Sequence, residues 1–193
     1  LVKFTLPTTI MLVFISLYQM VDGVFVANFV GELALSALNI IYPVPSIILA
    51  VSIMLATGGS AIIAKNMGEQ KYREARENFS FILLTGFLFG MLFMIFGILF
   101  LEETILLLGA TPKLYSYCYQ YLLILLLSAP LAVFQLLFQT FFVTAGKPHL
   151  GLAMTLIGGC VNIVFDYIFI AIFHLGVTGA AIATSMGYAV PAI

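Results

Sequence analysis

Asn162-Ile-Val-Phe-Asp166-Tyr-Ile-Phe-Ile170 lies inside an apolar run that extends from Leu150 to Phe173. A run of about 20 apolar residues is what an α-helix needs to cross a hydrocarbon core. A carboxylate within such a run is costly in lipid and marks a position that binds something. Asn162 and Asp166 are one i, i+4 step apart, so on a helix they share a face about one turn from each other. That face offers an amide oxygen and a carboxylate to whatever it meets. Asp22 is the other acidic residue deep in an apolar run.

The rest of the chain has the same character. Charged residues make up 8% of it and the mean hydropathy is +1.21, where a water-soluble domain carries roughly a quarter charged residues. The composition therefore specifies an integral membrane protein. The net charge of −1 gives no electrostatic case for nucleic acid. Cys118 and Cys160 both fall in apolar segments and are expected to be small buried side chains rather than a disulfide framework. The apolar run that opens near Phe4 is too long for a cleavable leader. Because the sequence opens on Leu1 and stops within an apolar run at Ile193, it is expected to be a piece of a longer polypeptide.

The breaks between apolar runs define six candidate spans, roughly 4–31, 34–64, 78–101, 115–146, 150–173 and 177–193. The runs are continuous and lack period-two alternation, which excludes a β-barrel. The expected fold is thus all-α, a six-helix transmembrane bundle. With the N-terminus in the cytoplasm, Lys3, Lys65, Lys71, Arg73, Arg76 and Lys147 all lie inside and only Lys113 lies outside. That asymmetry is the positive-inside signature and fixes the orientation.

Other stretches suggest local roles. Pro7 stands near the start of the first span, where a helix tolerates proline or kinks at it. Pro43 and Pro45 suggest a bend in the second span, and Thr57-Gly-Gly-Ser60 a close helix approach. Glu69 to Asn78 reads as a short surface helix after a stop at Gly68. Glu102 to Lys113 reads as an interfacial segment, and Tyr115, Tyr117, Tyr119 and Tyr121 as an aromatic belt. Gln135 and Gln139 are i, i+4 and are expected to face protein or a wet cavity. A faint internal echo aligns Asp22-Gly-Val-Phe-Val-Ala-Asn-Phe29 with Asp166-Tyr-Ile-Phe-Ile-Ala-Ile-Phe173.

Depth along the spans can be estimated from the helical rise. Asp22 comes roughly 28 Å beyond Lys3, and Asp166 roughly 25 Å beyond His149 on a helix running the same way. Thr184, on the returning sixth span, reaches the level of Asp166 by the same count. Asp22, Asn162, Asp166 and Thr184 are therefore expected to share one pocket of oxygen ligands. Oxygens suit a hard cation such as Na⁺, and a buried carboxylate suits H⁺. No thiolate or histidine cluster accompanies them, so no metal is expected beyond Na⁺.

With those residues in place, the sequence resembles the N-terminal lobe of the MATE (multidrug and toxic compound extrusion) family over essentially its whole length. The resemblance rests on Pro7 and Asp22 in the first span with the Asp22-Gly-Val-Phe-Val-Ala run, and on Gly31 before Ala34-Leu35-Ser36-Ala37. It continues through Gly58-Gly59-Ser60, Gly68 with Ala75, Gly146-Lys-Pro148, Asn162 with Asp166, and Gly179-Ala-Ala-Ile-Ala-Thr184.

The resemblance implies that residues 1–193 form one six-helix lobe of a twelve-helix transporter, with a C-terminal lobe still to come. It implies a secondary active transporter rather than an enzyme. Such an antiporter would take up Na⁺ or H⁺ as coupling ion, need no cofactor, and export organic, mostly cationic, small molecules across the cytoplasmic membrane. The family's cation ligands match Asp22, Asn162, Asp166 and Thr184, and its proline that bends the first helix matches Pro7. The alternative is a flippase of the same fold for lipid-linked oligosaccharide or a related lipid precursor, but its basic cleft residues are missing here. An intramembrane aspartyl protease is a poorer fit. Asp22 follows Met20-Val21 and Asp166 follows Val164-Phe165, neither of which is the Tyr-Asp or Gly-x-Gly-Asp pattern of that chemistry.

Overall fold

A computed structural model describes residues 2–190; the side chains of residues 2–5 and of Pro7 lie outside what it describes. Among the described residues every regular element is a helix. In order it forms α1 (Val2–Phe25), a π-helical segment (Val26–Val30), α2 (Glu32–Ile41), α3 (Pro43–Gly68) and α4 (Tyr72–Leu99). Then follow α5 (Leu101–Leu107), α6 (Pro112–Leu127), α7 (Ala129–Thr144), α8 (Pro148–Asp166), a second π-helical segment (Tyr167–Ile172) and α9 (Val177–Ala189).

Proline and glycine set the breaks. Pro43, Pro112 and Pro148 each open a helix, where a missing N–H costs nothing because the first turn has no acceptor for it. Gly31 has φ 115°, a left-handed backbone that stops the first span and that a side chain would strain. The second expected span, 34–64, is not one helix: it is interrupted at Tyr42 before Pro43 and continues to Gly68. The fourth is bent by 54° between α6 and α7. Pro130 explains the bend, because its ring removes a backbone donor and crowds the carbonyl one turn earlier. The Ser128 hydroxyl satisfies a carbonyl at that break, donating to Leu125 at 3.0 Å.

The surface helix expected at Glu69 to Asn78 does not stand apart. After a tight turn at Glu69 and Gln70, Tyr72 begins α4, and the charged residues are its first turns. Lys71 bonds Glu69 at 2.7 Å, which raises the lysine pKa above its usual value, and Arg73 bonds Glu77 at 2.9 Å. The stretch Glu102 to Lys113, expected to be interfacial, begins within the short helix α5, where Leu101 and Ile105 are buried. Among the described residues four helical stretches are long and apolar enough to cross a membrane alone, and the bent α6–α7 pair makes a fifth if it counts as one span.

Two packed clusters hold the bundle together. One gathers Val26, Ala37, Ile41, Leu122, Leu126 and Ile170 among α2, α6, α9 and the π segments. The other joins α3, α4 and α7 through Ile48, Ala56, Val133, Leu137 and Phe141. Lipid is as apolar as leucine, so helices gain little from hydrophobic burial against each other and associate through close fit. Gly86 accordingly receives Leu137 and Val133, and Gly90 lies against Pro130. The hydroxyls of Ser60 and Thr144 bond across α3 and α7. The outward faces remain apolar, with Phe81, Leu84, Leu88 and Phe96 of α4 all exposed. Cys118 is buried as expected, but Cys160 is exposed on the apolar surface, because α8 turns Gly158 and Gly159 inward and its next residue outward.

Candidate functional site

α8 packs against both α1 and α9, and small residues allow the approach. A Cβ on Gly158 would stand 2.9 Å from the Gly187 carbonyl oxygen, and one on Gly187 would stand 3.3 Å from Cβ of Asn162. Gly159 receives the rings of Phe14 and Tyr18 from α1. This three-helix contact carries the acidic and amide side chains into the interior. Asn162 is 2% exposed and Asp166 is fully buried. Asp166 is the last residue of α8, directly before the second π segment; Asp22 sits one turn before the first.

The four side chains expected to meet are brought together. Asp22, Asn162 and Thr184 line one cavity of about 200 Å³. Asp166 is not among the residues that line it, but its carboxyl lies beside that of Asp22. The Asn162 Nδ2 donates to Thr184 Oγ1 at 3.5 Å. Asp22 Oδ1, Asn162 Oδ1 and both carboxylate oxygens of Asp166 are buried with no hydrogen-bond partner. Buried polar atoms are nearly always paired, so an unpaired group of four acceptors calls for a donor or a cation. Among the described residues no three His, Cys, Asp or Glu side chains gather as a metal cluster. The ligands on offer are two carboxylates, an amide oxygen and a hydroxyl, a set matched to a hard cation or a proton. Pro7 belongs to a different place: the helical backbone of α1 continues through it, roughly 22 Å along the axis from Asp22.

Three tyrosines complete the surroundings and were not legible as site residues. Tyr121, expected in the aromatic belt, is instead buried: it lines the cavity with its hydroxyl beside Thr184. Tyr18 and Tyr188 line the same cavity. A signal did exist for two of them. Tyr18 is one i, i+4 step from Asp22, and Tyr188 one step from Thr184, so each shares a helix face with its partner. A second, smaller cavity adjoins the first through Tyr18, Gln19 and Tyr188, and is lined by Gln135, Gln139 and Ser52. Gln135 and Gln139 thus face the interior, and Gln139 contacts the Met11 sulfur at 3.6 Å.

The two stretches that echo each other in sequence also share a structural device. Each aspartate is followed within one turn by π-helical backbone, and the two π segments touch. A π turn widens the helix and shifts every later side chain around the axis, and such turns recur at functional sites.

The MatE family model matches residues 7–168. The multidrug export protein MepA of Staphylococcus saprophyticus is 26% identical over 92% of this chain and 40% of its own length. Among solved structures, a multidrug resistance MATE family transporter of the MOP superfamily in its outward-facing conformation superposes with a TM-score of 0.93. It is 26% identical, over 98% of this chain and 42% of that one. A MATE structure in the straight conformation also gives 0.93, at 26% identity over 99% and 42%. The chain therefore spans about 40% of the length of the curated relatives it matches.

Proposed function

The chain belongs to the MatE family, and from that membership we propose that it is the N-terminal lobe of a cation-coupled antiporter that exports organic, mostly cationic, compounds. It would be a secondary active transporter, working with a second six-helix lobe in the cytoplasmic membrane, its N-terminus on the cytoplasmic side. The observation that carries this reading is the set of buried, unpartnered acceptor oxygens on Asp22, Asn162 and Asp166, the first two on residues that line one cavity.

The mechanism follows from charge. Two neighbouring carboxylates in a poorly solvated interior repel when both are ionised, and a proton or Na⁺ among them removes the repulsion. Asp22 on α1 and Asp166 on α8 belong to different helices, so the loaded and unloaded states favour different placements of α1 against α8. A ligand biases a two-state element only by interacting differently with its two states, and this charge change is such a difference. Asn162 contributes an amide oxygen and Thr184 a hydroxyl, held in register by their mutual hydrogen bond. Aromatic and amide side chains along the adjoining cavities, Tyr18, Tyr188, Gln135 and Gln139, offer π faces and neutral hydrogen bonds to an organic cation.

The test is export of a fluorescent organic cation from vesicles containing the complete transporter, with a Na⁺ gradient and a pH gradient imposed separately. Export driven by at least one gradient, and strongly reduced by Asp22→Asn, is expected. Export indifferent to both gradients would overturn the proposal.

A further inference from the structure

At the end of the bundle that carries the basic residues, α3, α4 and α7 part to leave an apolar pocket of about 250 Å³. Its walls are Ile63 and Met67 of α3 with Phe79 of α4 and Phe141 of α7. The two rings meet edge to face at 5.1 Å. Tyr72 and Arg76, one turn apart on α4, are the polar side chains of its lining, and both are exposed. The neighbouring cations are neutralised: Lys71 by Glu69 and Arg73 by Glu77. Arg76 forms no ion pair among the described residues.

A phenol and an unpaired guanidinium stand together over an apolar hole, at the level where the helices emerge into polar sequence. An arginine fork binds phosphate oxygens through parallel N–H bonds, and interfacial tyrosine sits at headgroup depth. The hole accepts hydrocarbon. We infer that this pocket is a binding site for one anionic phospholipid, its phosphodiester on Arg76 and Tyr72 and part of an acyl chain in the hole lined by Ile63, Met67 and the rings of Phe79 and Phe141. Charge complementarity selects the anionic headgroup: basic pockets between transmembrane helices favour anionic lipids, whereas a zwitterionic headgroup brings its own cation to Arg76.

These 193 residues contain no tryptophan, so in the complete transporter, with any tryptophan outside them replaced by phenylalanine, Phe79→Trp places a unique fluorophore in the pocket. The protein is reconstituted in phosphatidylcholine vesicles carrying the same small fraction of dibrominated lipid, either phosphatidylglycerol or phosphatidylcholine. Brominated phosphatidylglycerol should be enriched at the reporter about fivefold over brominated phosphatidylcholine, the factor one basic side chain contributes at an anionic surface. Arg76→Gln should erase that preference, Arg76→Lys should restore part of it, and Arg73→Gln should leave it intact. Tyr72→Trp, at the exposed mouth, is the second reporter should Phe79→Trp fail to fold. Equal quenching by the two lipids would overturn the site. So would an Arg73→Gln loss as large as that of Arg76→Gln, which would mean diffuse attraction to the basic end. Absence of quenching by either lipid in both reporters would mean that protein covers the pocket, and would also overturn it.

Discussion

The Asn162 amide on α8 reaches the Thr184 hydroxyl on α9 across 3.5 Å, while the oxygen of that amide is buried with no donor of its own. On the proposed reading Thr184 would do two things: orient Asn162 and supply an oxygen. Thr184→Ala should weaken Na⁺-driven export more than H⁺-driven export, since a proton needs only a carboxylate whereas Na⁺ needs a shell of oxygens. The measurement is the Na⁺ concentration for half-maximal export in vesicles, set against the proton-driven rate. Equal loss in both modes would reduce Thr184 to a packing role.

Asp22→Asn and Asp166→Asn each keep the shape of the side chain and remove its charge. Each should lower gradient-driven export about 5–150-fold, the span of typical coupling free energies. Binding of the exported compound, measured by fluorescence titration, should change much less. Asn162→Ala should produce an intermediate loss, because an amide oxygen carries no formal charge. Full coupled export in both aspartate variants would place the coupling site elsewhere.

Gly158 and Gly187 face each other where α8 crosses α9, and Gly187 also lies against Asn162. Gly187→Val forces the helices apart at that point. It should destabilise the bundle by about 1–3 kcal/mol, the usual range for overpacking, and displace Asn162 from Thr184. Thermal unfolding in detergent gives the first effect, and loss of Na⁺-driven export the second. Gly58→Val, at a glycine with open space around it, should do neither.

Pro7 lies one turn and more inside α1, on the helix that carries Asp22. Replacing it restores a backbone donor and stiffens the helix. Pro7→Ala should slow export while leaving unfolding temperature unchanged or higher. Unaltered rates would leave Pro7 as a helix-start residue only.

A membrane-impermeant thiol reagent should label Arg73→Cys and Lys147→Cys from the cytoplasmic side and Lys113→Cys from the opposite side. Labelling of Arg73→Cys and Lys113→Cys from one side would break the proposed orientation.

Length and polarity of the apolar runs were enough to read the membrane class and the all-helical fold, because lipid leaves the backbone no other way to satisfy its hydrogen bonds here. The pairing of Asn162 with Asp166 was legible too, since i, i+4 spacing needs only the pitch of one helix. Which way each helix faces was another matter. In water a helix betrays its buried side by polarity, but in lipid the outward face is as apolar as the inward one. Tyr121 was therefore read as interfacial although α6 turns it onto Thr184, and Cys160 was read as buried although α8 turns it out. The π turns after Asp22 and Asp166 were equally hidden, whereas Pro43 and Pro45 did suggest the interruption that falls at Tyr42. The breaks and faces depend on neighbours: on Pro130 lying against Gly90, on Gly158 meeting Gly187, and on Gly159 admitting Phe14 and Tyr18. Those contacts join residues far apart in the chain, and only their packing turns four scattered oxygen-bearing side chains into one group.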